Sequence, residues 1–201
     1  MTRTNSGRLA AFIALTGAAG MAQAHTGHGT HGLVDGLLHP LGADHLLAML
    51  AVGVWSVVAL PAARIWQGPA CFVVALLLGA LFGVAGLGMP LVEQGIALSV
   101  VLFGALLVLA SRGGTLTTSG LALVAAAAAL HGLAHGAEAP VGDFAAYAAG
   151  FLGTTVTLHI AGVLTALSLQ RWLADHGRLA FQGVGAALGV SGLVLLGQLA
   201  A

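Results

Sequence analysis

Six stretches of this chain, at about residues 42–60, 69–89, 94–111, 116–137, 144–170 and 179–200, are apolar over lengths close to the ~20 residues a helix needs to cross a bilayer. Lipid offers no partner to a free backbone amide, so each stretch must satisfy its own N–H and C=O groups by coiling into a helix. The expected fold class is therefore all-α, a polytopic membrane protein built as a bundle of six transmembrane helices. Only 6% of the residues are charged and 59% are hydrophobic, too little polar surface for a soluble domain. The charges balance at six basic against six acidic, with no basic cluster, which excludes a nucleic-acid partner. Glycine reaches 31 residues, in runs such as "GALFGVAGLG" and "GVGAALGVSG". In lipid that usage points to close helix contact through small residues. The lone cysteine, Cys71, falls within an apolar run and reads as packing.

Ahead of the six stretches, residues 1–24 carry Arg3 and Arg8, then an apolar run from Leu9 to Gly20, then "AQA" before His25. This is the pattern of a signal peptide cleaved after Ala24, leaving residues 25–201 as the mature transmembrane domain. Cleavage places residue 25 outside, and each crossing then alternates. Arg64, Arg112, Arg171 and Arg178 all fall inside, whereas Asp35, Glu93, Glu138 and Asp143 all fall outside. The positive-inside rule is obeyed throughout, which supports the count of six and puts the two mature termini outside. Trp66 and Trp172 fall at inner boundaries, where an indole anchors a helix.

Polar groups gather at the outer face. In "HPLGADHLLAML", Pro40 suits the first turn of a helix, with His39 just ahead of it and Asp44 and His45 in the second turn. Met49, four residues beyond His45, shares its face and reads as packing rather than as a thioether ligand. The preceding "GLVDGLL" suits a short interfacial helix that would bring Asp35 within one turn of His39, as a carboxylate able to orient that imidazole. A second group, "HGLAHGAE", spaces His131, His135 and Glu138 along one helical stripe, beside a small-residue stripe of Gly132 and Gly136. Imidazoles four residues apart can chelate one cation, and Glu138 adds an oxygen ligand or a proton acceptor. The expected N-terminus, "HTGHGTH", offers His25, His28 and His31. A free α-amine on His25 beside its own imidazole makes a chelating pair. His159 stands alone deep in the fifth stretch, either as a deeper ligand or relay or as a core histidine bonded to a backbone carbonyl. Asp44 with His45 also admits a simpler reading as a buried ion pair, and His131 with His135 as a hydrogen-bonded pair between helices. Ionisable groups are costly in lipid, so two such groups at one membrane face point to function.

The passage from His25 through "HPLGADHLLAMLAVGVW", the "HGLAHGAE" group and the signal peptide together resemble the HupE/UreJ family of nickel permeases, accessory membrane proteins of hydrogenase and urease. The resemblance runs along essentially the whole chain. It implies inner-membrane uptake of nickel, with His39, Asp44 and His45 as the matched motif positions, and leaves room for metallochaperones on the cytoplasmic side.

The residues and the resemblance together make Ni2+ the expected transported ion, with Co2+ or another divalent metal as the alternative, and no permanent cofactor. No G-x-x-x-x-G-K-[ST] loop occurs, so the chain does not hydrolyse nucleotide by itself. The expected protein is not an enzyme but a secondary permease. His25 collects the ion, Asp44, His45, His131, His135 and Glu138 bind it, and His159 passes it inward. Imidazole binds metal only when neutral, so transport should fall on acidification. The rival from another class is an intramembrane zinc-dependent hydrolase with Glu138 as general base, although "HGLAH" displaces that base from the H-E-x-x-H pattern. Haem ligation is disfavoured, because imidazoles four apart on one helix cannot clamp opposite faces of the macrocycle. A serine protease lacks its G-x-S-x-G context.

Overall fold

Each of the six apolar stretches is a helix in the computed structural model, which describes residues 32–114, 117–139, 142–173 and 176–200. The expected signal peptide and His25, His28 and His31 lie outside the described residues. A short α1 (Gly32–Leu38) leads through a 3-10 turn (His39–Leu41) into α2 (Ala43–Ala59), followed by α3 (Gln67–Val84), α4 (Val92–Ser111), α5 (Thr117–Ala137), α6 (Phe144–Leu173) and α7 (Gly177–Gln198). There is no strand among the described residues. Five helices are long and apolar enough to cross a membrane individually, and α2 makes a sixth span when taken with α1 across a bend of 69°.

The bend has a local cause. Pro40 lacks a backbone N–H, and Gly42 adopts an extended conformation with ψ 145°, so the helical ladder is interrupted and restarted at Ala43. Asp44 and His45 therefore lie in the first turn of α2, one turn earlier than the sequence reading had them. The "GLVDGLL" segment is helical as expected, packed along the outer turns of α6.

Helix association in lipid depends on close packing rather than on hydrophobic burial, and the glycines serve that purpose. A Cβ built on Gly132 would fall 1.9 Å from the Leu76 carbonyl oxygen, and one on Gly79 would fall 2.1 Å from that of Ala129, so α3 and α5 touch backbone to backbone. The register shows α3 and α5 running parallel, Leu76 and Ala80 opposite Gly132 and Gly136. In the same way α2 runs parallel to α6 through Gly53 and Gly162, and α4 antiparallel to α7 through Gly104, Gly185 and Gly192. These directions are what six alternating crossings require. These three pairings map onto one another when α2–α4 are exchanged for α5–α7, whereas the packing of α2 on α4 has no such counterpart between α5 and α7.

Trp66 and Trp172 are exposed at helix ends beside Arg64 and Arg171. Cys71 is a free, half-buried thiol donating to the Leu121 carbonyl, and Met49 is fully buried in the core.

Candidate metal centre

The 3-10 turn, the first turn of α2 and the last two turns of α5 bring His39, His45 and His135 together, with one nitrogen from each within 4.8 Å of the others. His45 and His135 are buried and His39 is half-buried. Nε2 of His45 faces Nε2 of His135 directly, and the ring of His39 stands 4.5 Å from that of His135 and 5.8 Å from that of His45. Three imidazole nitrogens so close together, from segments ninety residues apart, form a geometry suited to one cation. Tyr147 and Phe151 of α6 close the side of the cluster, with Phe151 in ring contact with both His39 and His135.

Asp44 determines what His45 can offer. Its Oδ1 accepts from the backbone N–H of His45 at 2.8 Å and lies 2.6 Å from His45 Nδ1. The carboxylate can only accept, so Nδ1 carries the proton and the lone pair is on Nε2, aimed into the cluster. This is the carboxylate–histidine arrangement that orients a metal ligand and raises its basicity. The pairing of Asp44 with His45 expected from their adjacency is present.

One turn deeper on α5, His131 is fully buried with its ring 4.7 Å from that of His45. Its Nε2 is 2.9 Å from Ser99 Oγ on α4, and Ser99 gives its only proton to the Ile96 carbonyl at 2.7 Å. His131 Nε2 must then donate to Ser99, which leaves the lone pair on Nδ1. On α6, His159 Nδ1 donates to the Thr155 carbonyl at 2.8 Å, so its lone pair is on Nε2. His159 is thus bonded to a backbone carbonyl through one nitrogen, with the other bare. His131 Nδ1, His135 Nδ1, His159 Nε2 and Thr155 Oγ1 are buried with no hydrogen-bond partner among the described residues. Each unsatisfied group costs about 1–3 kcal/mol, and four of them among the described residues argue against packing as their sole purpose.

The expected site residues thus divide. His39, His45 and His135 form the cluster, Asp44 backs His45, His131 continues it inward, and His159 lies deeper. The carbonyl of His159 meets Gly53, two turns of α2 or about 12 Å below His45. Glu138, expected on the stripe with His131 and His135, is exposed just past the end of α5, outside the three-imidazole group. The helical stripe stops being buried there because α5 has reached its last turn. Asp35 is exposed on α1, one turn before His39. His25 lies outside the described residues.

Sequence reasoning missed Ser99, Thr155 and Phe72. Ser99 and Thr155 are hydroxyls in the middle of apolar stretches, which is the signal that marks them. Phe72 of α3, in ring contact with both His131 and His159, is indistinguishable in sequence from any other core phenylalanine.

The HupE / UreJ protein family model matches residues 13–195. Protein HupE of Rhizobium leguminosarum bv. viciae is 37% identical over 179 residues, covering 88% of this chain and 90% of that protein. No solved structure matches. A helical bundle of membrane-spanning segments, matched over nearly its whole length in both comparisons, this chain belongs to the HupE/UreJ family of integral membrane proteins.

Proposed function

We propose that this protein takes up a divalent transition metal ion, most suitably nickel with cobalt as the alternative, across the bacterial inner membrane, to supply hydrogenase or urease maturation. The single observation that carries the reading is the convergence of His39, His45 and His135 at one end of a membrane bundle. Imidazole nitrogens with an oriented lone pair suit nickel and cobalt, and poorly suit magnesium or calcium, which take oxygen ligands.

In this account the N-terminal histidines, His25 first, collect the ion outside. His39, His45 and His135 replace its water, Asp44 holds the His45 tautomer, and His131 and then His159 receive it inward. A divalent cation moving down an inside-negative potential gains roughly 2.3 kcal/mol per charge per 100 mV, about twice that for two charges, so no nucleotide is needed. The intramembrane hydrolase is disfavoured by the position of Glu138. A general base must reach a metal-bound water, and the Glu138 side chain is exposed outside the three-imidazole group.

The test is uptake of labelled nickel and cobalt by cells expressing the wild type, His45→Ala and His131→Ala at matched membrane levels. Loss of uptake in both variants is expected, and the ion preferred by the wild type names the substrate. Wild-type cells that accumulate neither ion above background would sink the proposal.

A further inference from the structure

The polar groups do not form an unbroken chain of contacts through the bundle. From the outer cluster His45 touches His131, but no ring contact joins His131 to His159 among the described residues. Phe72 touches both instead, with its ring centroid 5.8 Å from that of His131 and 4.8 Å from that of His159. The Phe72 ring is fully buried and is braced from α4 by Phe103 at 6.5 Å. An ion handed from lone pair to lone pair thus meets an aromatic side chain with no lone pair to offer.

On either side of that ring the donors are prepared. His131, nearer the outer cluster, has its Nδ1 bare, and His159, deeper in the bundle, has its Nε2 bare, with Thr155 Oγ1 one turn outward of His159 on α6, all three buried and without a hydrogen-bond partner among the described residues. The tautomers of the two imidazoles are held by bonds that end on the backbone carbonyls of Ile96 and Thr155. Imidazoles of fixed tautomer on both sides of one apolar ring have the layout of a hydrophobic constriction.

We propose that Phe72 is the gate between an outer ion position, made by His39, His45, His135 and His131, and an inner one at His159 Nε2. The inference rests on the permeation reading above and deepens it. Rotation of the ring about its side-chain bonds opens the step, and its return isolates the outer site from the inner one. The gate sets the rate of passage and leaves the affinity of the outer site alone.

Purified wild type, Phe72→Ala, Phe72→Leu and His45→Ala, each reconstituted into lipid vesicles, test this with two readouts. Equilibrium dialysis in detergent measures nickel affinity, and release of labelled nickel from preloaded vesicles measures flux. Phe72→Ala should bind nickel within about twofold of wild type yet pass it at least tenfold faster, with Phe72→Leu intermediate. Wild-type flux in Phe72→Ala, with affinity intact, would overturn the gate. Should Phe72→Ala fail to bind nickel at all, Phe72→Leu decides, and flux no faster than wild type in that variant overturns the gate equally. The reading beneath it fails separately, if the wild type passes no nickel or if His45→Ala passes it as fast as the wild type.

Discussion

Asp44 is the residue on which the outer cluster turns, because its carboxylate decides which nitrogen of His45 is bare. Asp44→Asn removes the charge and admits the wrong tautomer, so nickel affinity measured by equilibrium dialysis should fall roughly 10–100-fold while the protein stays folded. An unchanged affinity would show that His45 orients itself. The sign of the pH dependence follows from the same lone pairs. Protons and metal compete for the imidazole nitrogens, so binding to the purified protein must weaken as pH falls and never strengthen. A profile flat from neutral to mildly acidic pH would remove these imidazoles from the ligand set. Much of this was legible in the sequence. Adjacent acid and imidazole at a helix start, and two imidazoles four apart, announced themselves by type and spacing. The tautomer of His131 was not, because it depends on the Ser99 hydroxyl, which a neighbouring helix brings to it.

At the scale of elements, the stripe of Gly132 and Gly136 was readable as a place of close approach. Its partner was not, since Gly79 and Gly83, Gly104, and Gly185 with Gly192 advertise similar faces, and only packing assigns α3 to α5 and α4 to α7. The contact makes a sharp contrast between two glycines. Gly132→Ala drives a methyl into the Leu76 carbonyl and forces α3 and α5 apart, which should destabilise the detergent-solubilised protein by about 1–3 kcal/mol. Gly183→Ala on α7 meets nothing within 4 Å and gains helix propensity, so thermal unfolding should be unchanged or raised by the equivalent of roughly 0.5–1 kcal/mol. Equal behaviour of the two variants would mean that α3 and α5 are not in backbone contact. The break at Gly42 is the other element-scale device. Pro40 signalled a helix start, but the separate 3-10 turn and the 69° bend, which put His39 against His135, needed the packing of α1 on α6 to appear.

For the whole molecule, the six apolar lengths and the alternation of arginine with carboxylate across them foretold the bundle and its up-and-down order, because lipid leaves a chain few choices. That the first and fourth of those stretches deliver their histidines to one point is a property of the assembled bundle, and no spacing within either stretch encodes it. The account stands on that convergence. X-ray absorption spectroscopy of the purified protein loaded with one equivalent of nickel addresses it most directly. The account predicts a first shell containing several imidazoles, with one fewer in His135→Ala and one fewer in His39→Ala. Failure to retain nickel, or an oxygen-only shell indifferent to both substitutions, would contradict it.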